Sequence, residues 1–414
     1  MHNRRVVITG LGLVTPVGIG RLEVWKAITA GTSGTRTLSV LPTDFPVENL
    51  RSRVVANVPN SLFTSSDLAC VRARHFLFGT KALQLALEDA GVDSLALANS
   101  GMVFGNAVGG TTAMEEAFVT MDCGGVLDPT RAPVDLADQF SFHSLSAELA
   151  ARSGVTGPVV TVSTGCTAGL DAIGMTFEMI RSGEIDVAVT GSSETPITPV
   201  VFAAFDVIGA LTKHNENPQT ASRPFDHRRD GFVLGEGAAV LLLEEWGHAK
   251  SRNAPVYCEI TGYASNSNAY HMTDLPEQGA GLADCIRLAL QDAGIQPGDV
   301  DHVNAHGSST PQNDICETNA IKQVLGDHAY SVPVNSLKSM VGHALGASNA
   351  IEVAACAMSI HESFLFPTIN LEKAGKGCDL DYVPNYGRHC PLRNVLKLSN
   401  GFSGIHSAMV LTAA

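Results

Sequence analysis

The stretch "VVTVSTGCTAGLDAIG" (residues 159–174) runs from β-branched residues through a Gly-flanked cysteine straight into small residues with helical spacing. It reads as strand, tight turn and helix, with Cys166 at the end of a sheet. There the first free N–H groups of the helix point at the sulfur, which favours thiolate. Gly165 removes a side chain that would block approach, while Thr167, Ala168 and Gly169 keep the first helical turn slim. The other reading is a buried cysteine acting as a small hydrophobe, so the partners of Cys166 must decide.

Working outward, "RRVVITG", "GMVFGNA", "PVVTVST", "DVAVTGS" and "AAVLLLEE" read as buried strands, with helical segments such as "GTKALQLALEDAGV" and "DAIGMTFEMIRSGE" between them. This alternation predicts an α/β protein with covered sheets. After "EWGHAKSRNAPV" a second series begins with "YCEITGYAS", "GAGLADCIRLALQDAGI", "DVDHVNAHG", "SVPVNSLKS" and "NVLKLSNGFSG". Two comparable halves, 1–255 and 256–414, meet there. "VVTVSTGCTAGLDAIGMTFEMIRSGE" and "SVPVNSLKSMVGHALGASNAIEVAACAMSIHES" share one plan: strand, Gly-containing turn, small residues, helix. That rhyme predicts an internal duplication, although any α/β chain repeats such a unit. A duplication sets the Cys166 turn opposite the turn carrying His343.

Composition narrows the function. A chain of 414 residues with 45% hydrophobic residues buries a large core of one or two domains. A net charge of −14 without a basic run argues against nucleic acid. Nine cysteines without a C-x-x-C pair suggest neither a disulfide framework nor a zinc site, and fit a reducing cytoplasm. The amino terminus is punctuated by Gly10, Gly12, Pro16 and Gly18 like a strand and loop rather than a signal peptide. No apolar run approaches the roughly 18 residues of a membrane helix.

Two histidines share the features of the cysteine turn. His306 in "NAHGSST" ends a strand and precedes three hydroxyl residues, and "LKSMVGHALGAS" carries Lys338 and His343. Alone, each histidine is more often structural than catalytic. Together with Cys166 they permit a specific chemistry: a thiolate takes up an acyl group, and two neutral imidazoles stabilise an enolate. Metal binding ranks below this, because no H-E-x-x-H or clustered ligand set is present. "GFSGIH" offers a backbone N–H beside Phe402, or is simply a connecting turn. "ASRPFDHRRDGFVLGEGAA", with Arg223, Asp226, Arg229 and Asp230, reads as a buried ion-paired loop supporting a neighbouring site, ahead of a direct catalytic role.

The ordered set "VVITGLGLVTPVG", "VSTGCTAGLDAIG", "SRPFDHRRDGFVLGEGA", "NAYHMT", "NAHGSST", "LKSMVGHALGA" and "GFSGIHSAMV" resembles the β-ketoacyl synthase family of the thiolase fold over the whole chain. The resemblance implies a duplicated fold layered α-β-α-β-α with two mixed sheets, and decarboxylative Claisen condensation as the reaction. It implies that Cys166 receives an acyl chain from an acyl carrier protein and that His306 and His343 are where the malonyl unit loses carbon dioxide. Lys338 would support them, held by Glu317 or Glu352. Phe402 would gate the site, its loop forming an oxyanion hole with the Cys166 N–H. Thr273, Ser308 and Thr310 would line the phosphopantetheine tunnel, and no cofactor of the chain's own is implied.

Within the family, "SSETPITPVVFAAFDVIGALT", "STGCTAGLD" and "HSAMVL" are most similar to ketosynthase α subunits of type II aromatic polyketide synthases. This implies a heterodimer with a chain length factor, a paralogue without the cysteine. The fatty-acid condensing enzyme acting as a homodimer is the alternative. A non-catalytic chain-length subunit conflicts with the presence of Cys166, and a Cys–His hydrolase lacks a His–Asp or His–Asn relay. Ser309, Asn349 and His406 depart from the family's usual Gly, Gly and Asn or Gln. Arg72, Arg74 and Lys213 are the candidate cations for docking an acidic carrier protein.

Overall fold

The computed structural model describes residues 4–39, 41, 45–69, 73–92 and 97–414. In the first half the principal strands are β1 (Val6–Thr15), β2 (Gly101–Gly105), β3 (Val159–Val162), β4 (Val187–Glu194) and β5 (Gly237–Glu245). In the second they are β6 (Cys258–Ser267), β7 (His302–Asn304), β8 (Val334–Asn335), β9 (Asn394–Asn400) and β10 (Ile405–Thr412). The spatial order is β3-β2-β4-β5-β1 in one array and β8-β7-β9-β10-β6 in the other. Directions repeat as well: in each array the first three strands are parallel and the last two join antiparallel.

The two mixed sheets are joined rather than separate. Val6–Ile8 of β1 pairs with Cys258–Ile260 of β6, and the pairing ends there. Each strand bulges just beyond the shared segment, between Ile8 and Gly10 and between Ile260 and Gly262, which bends the arrays apart. The same glycines let a helix sit close. A Cβ at Gly10 would lie 2.4 Å from the Ala86 carbonyl oxygen, and one at Gly262 2.5 Å from that of Ala289. Asp89 and Asp292, near the ends of those helices, each accept a backbone N–H of the adjoining strand, from Leu11 and Tyr263 at 2.9 Å.

Helix α1 (Arg74–Ala90) covers β1 and β5 from outside, and α3 (Ala280–Ala293) covers β6 and β10 likewise, with α4 (Pro311–Leu325) beside it. Between the arrays lie α2 (Ala168–Ser182) and α5 (Gly346–Glu362), packed on each other and on strands of both halves. This gives the α-β-α-β-α layering. Residues 346–360 of α5 are buried on every face, as a helix between two sheets must be. Gly169 and Gly346 touch where α2 and α5 begin: a Cβ on Gly169 would lie 2.5 Å from the Gly346 carbonyl oxygen.

All nine strand readings correspond to observed strands, and β10 is an addition to them. Its run "IHSAMVLT" is buried almost throughout and lacks the alternation that marks a strand with one wet face. Among the described residues no helix is long and apolar enough to cross a membrane, and no group of three or more His, Cys, Asp and Glu is placed to hold a metal. The described cysteines are free thiols.

Candidate active site

Cys166 lies in a one-turn helix, Gly165–Thr167, between β3 and α2. Gly165 has φ 65°, and a Cβ there would meet nothing within 4 Å. The left-handed turn itself calls for glycine here, and no neighbouring protein atom does. Asp171, one turn into α2, binds this turn from below. It accepts the hydroxyls of Thr164 and Thr167, and those of Tyr263 and Ser407 from the other half. Asn349 of α5 ties the turn from the side, donating to the Cys166 carbonyl at 2.5 Å and to Ser399 Oγ at 2.9 Å.

Cys166, His306 and His343 line one cavity of about 360 Å³, together with Phe402, Thr273, Ser308 and Thr310. The two imidazoles stand edge to face with ring centroids 5.1 Å apart. His306 follows β7, and its turn is fixed by Glu317 of α4, which accepts the His306 and Gly307 backbone N–H groups at 2.6 and 2.8 Å. His306 Nδ1 is buried without a partner. His343 Nδ1 shares a 2.9 Å hydrogen bond with Ser348 Oγ, and its ring abuts Phe232. Both histidines are held well below the ordinary imidazole pKa, by burial first and then by the Lys338 and Lys397 ammonium groups. Both are neutral at pH 7.

Lys338 is paired with Glu352 at 2.6 Å, so of the two carboxylates expected to hold it, Glu352 does and Glu317 holds the histidine turn instead. Phe402 follows β9 with its ring centroid 6.1 Å from that of Phe205. The backbone N–H groups of Phe402 and of Cys166 itself act to lower the pKa of the sulfur, as does Lys338. These groups favour thiolate, as expected of the helix end, but burial outweighs them in the resting site. Burial pushes the Cys166 thiol up to about 11, and Glu194 adds to this, while Lys338 and the two N–H groups offset only part.

Residues 3–249 match the beta-ketoacyl synthase N-terminal domain and residues 257–372 the beta-ketoacyl synthase C-terminal domain. The chain belongs to the β-ketoacyl synthase family. It is an acyltransferase of the carbon–carbon bond-forming, 3-oxoacyl synthase type. This β-ketoacyl synthase is 44% identical to the tetracenomycin polyketide synthase ketoacyl synthase alpha subunit of Streptomyces glaucescens, over 99% of this chain and 97% of that one. It is similar to the ketosynthase in a structure of a type II PKS acyl-carrier protein in complex with its ketosynthase bound to the hexaketide, with TM-score 0.93, 42% identity and full coverage of both chains. It is also similar to a chain of the ishigamide ketosynthase/chain length factor, with TM-score 0.90, 31% identity and full coverage of both.

Two of the three cations expected at the mouth of this synthase lie within the described residues. Arg74 is engaged by Glu236 at 2.6 Å, by Asn60 Oδ1 and by the Val58 carbonyl, and lines a different cavity, because a half-buried guanidinium beside a buried carboxylate stays with it. Arg72 lies outside the described residues. Lys213 is exposed on the loop next to Ala210 and Asp230, which line the Cys166 cavity. The "SRPFDHRRD" segment is the ion-paired loop it reads as: Arg223 bonds Asp226 at 3.2 Å and Arg229 faces Asp314 at 3.4 Å, all buried or nearly so. Its Arg223 N–H donates to Ser309 Oγ at 3.1 Å, which couples the loop to the His306 turn. His406 fills its departure by bonding Asn400 Oδ1 through Nδ1 and Asn268 through Nε2.

Asp171, Glu194 and Lys397 are neighbours of the site to which sequence reasoning gave no role, and Asn349 was noted only as a departure. Asp171 and Glu194 fall inside quoted motifs, but their partners lie up to 236 residues away.

Proposed function

We propose that this chain is the ketosynthase α subunit of a type II aromatic polyketide synthase, and that Cys166, His306, His343, Lys338 and Phe402 carry its condensation. The observation that bears most weight is the neutral His306–His343 pair beside Cys166 in one cavity. Cys166 Sγ attacks the thioester carbonyl of an acyl chain on a carrier protein's phosphopantetheine arm, and the arm leaves as thiol. A malonyl-carrier protein then enters. With Ser348 donating to His343 Nδ1, the Nε2–H is available to the malonyl thioester oxygen, and His306 offers a second donor. Carbon dioxide leaves, and the enolate carbon attacks the Cys166 thioester. The tetrahedral oxyanion meets the Cys166 and Phe402 N–H groups, and its collapse breaks the C–S bond and expels Cys166 as thiolate, which takes a proton from water to restore the thiol. The carrier keeps a β-ketoacyl chain two carbons longer. Thr273, Ser308 and Thr310 contact the arm, and Lys213 remains the docking cation. No cofactor beyond the carrier's arm enters this scheme, which operates in the cytoplasm.

A paralogous partner, a chain length factor, fits the unfinished face of the first half. Strand β3 ends its array, with Val159 41% exposed. Helices Thr111–Met121 and Leu136–Phe140 pack on each other and leave Phe118, Val119 and Phe140 in water. An open edge beside exposed apolar side chains suits a twofold-type interface with a chain of the same fold. We further infer that 1–255 and 256–414 are duplicated halves, supported by their matching strand order.

Intact-mass analysis with acyl-carrier protein tests the scheme. The adduct forms on the wild type and is lost in Cys166→Ala. His306→Ala and His343→Ala still acylate but release far less carbon dioxide from malonyl-carrier protein. An adduct persisting in Cys166→Ala refutes the nucleophile. Chain extension that requires a cysteine-free paralogue supports the polyketide reading, whereas iterative extension by the chain alone, to saturated products with fatty-acid reductases, replaces it with the fatty-acid one.

A further inference from the structure

Glu352 serves two lysines. Its Oε1 accepts Lys338 Nζ at 2.6 Å, and its Oε2 stands 2.7 Å from Lys397 Nζ, which also donates to the Leu398 carbonyl at 2.5 Å. None of the three side chains is more than 1% exposed. Two ammonium groups share this one carboxylate, and the next carboxylate, Glu317, acts on both of them without touching either, an arrangement that is costly unless something nearby uses it. Lys338 lies five residues before His343, and Lys397 pairs in register with Asn304 of β7, two residues before His306. Both ammonium groups act on both imidazoles, each disfavouring protonation.

We propose that Lys397 is a positioning residue for the condensation, steadying Lys338 through their common carboxylate and keeping His306 and His343 unprotonated. This rests on the reading of the site given above. The other charged or titratable groups around the pair are Glu317 behind the His306 turn, His406, Cys166 with Glu194 beside it, Lys338 itself, and Asp230 and Asp274 on the cavity wall. The faces of His343 toward Phe232 and Ser348 are uncharged.

The test compares Lys397→Met, which keeps length and removes charge, with Lys397→Arg and Glu352→Gln. The pH midpoint for carbethoxylation of His306 and His343, read by peptide mass, reports the imidazoles without requiring turnover. Lys397→Met should move that midpoint up by about one pH unit, the size expected of one nearby buried charge. The acid limb of malonyl decarboxylation should follow it. Lys397→Arg should match the wild type, and Glu352→Gln should move the midpoint down, which tests the same balance where Lys397→Met fails to accumulate. An unchanged midpoint in Lys397→Met, or movement of Lys397→Met and Glu352→Gln in the same direction, overturns the proposal. Shifted imidazoles in an enzyme whose wild type releases no carbon dioxide uphold the charge argument and overturn the functional reading instead.

Discussion

The carboxylate of Glu317 accepts the backbone N–H of His306 at 2.6 Å, so the position of that imidazole is set from helix α4 rather than from its own strand. Burial raises Glu317 to about 7, and its two N–H donors hold it back from rising further. Glu317→Gln keeps one acceptor oxygen and loses the other. Carbon dioxide release from malonyl-carrier protein should fall about tenfold, equivalent to ~1.4 kcal/mol of barrier. Acylation of Cys166 should stay within about twofold, since the cysteine turn does not contact Glu317. Equal losses in both half-reactions would show general damage rather than a displaced histidine.

The Cys166 thiol, raised to about 11, should behave as a poorly ionised thiol when no substrate is bound. Its alkylation by iodoacetamide should accelerate about tenfold per pH unit from 7 to 10, with no plateau near the ordinary cysteine value. Peptide mass spectrometry of timed samples gives the profile. A plateau below pH 8 would mean that the helix end and Lys338 outweigh burial.

Ser309 occupies a left-handed backbone position, φ 72°, where the family's usual glycine is unstrained. Its hydroxyl accepts the buried Arg223 N–H at 3.1 Å. Ser309→Ala keeps the strain and loses the acceptor, and should destabilise the protein by about 1–2 kcal/mol. Ser309→Gly loses the same bond but relieves the strain and should be nearly neutral. Denaturant unfolding of the two variants decides; equal losses would remove strain from the account.

Thermal stability should fall on the acid side. Burial lowers His75, His302 and His406 to about 4, and lowers His306 and His343 as well. Unfolding lets each take up a proton below the ordinary value of 6.5, so the stability from keeping them neutral declines as pH drops from 6.5 toward 4. Glu194 and Glu317 work in the other direction. Burial raises them to about 8 and about 7, and their contribution is lost as pH climbs from 4.5 through those values. Melting scans from pH 5 to 8.5 should show a steep acid limb and a shallower alkaline decline, the latter flattened by Glu194→Gln.

The groups proposed to react were legible because each sits in a short string whose chemistry is local: a glycine, a turn and a side chain at a strand end. Their supports were not. Lys397 in "NVLKLSN" looks like the wet face of a strand, but β9 is a middle strand covered on both sides and is buried along its whole length. Arg74 reads as a free cation until the chain returns 162 residues later with Glu236. Asp171 reads as an ordinary helix residue until Tyr263 and Ser407 arrive above it. Local sequence reports conformation, whereas burial and pairing across hundreds of residues belong to topology.

The contact between Gly169 and Gly346 acts as a mechanical stop. One glycine lies three residues after Cys166 and the other three after His343, so the separation of thiol from imidazole is fixed where two backbones meet and no side chain intervenes. Such a gauge has no adjustable part: even a methyl group on Gly169 would have to push the two turns apart. The cavity walls, at residues such as Phe205 and Leu345, lie outside this contact, so changes there reshape the cavity without altering the spacing of the two turns.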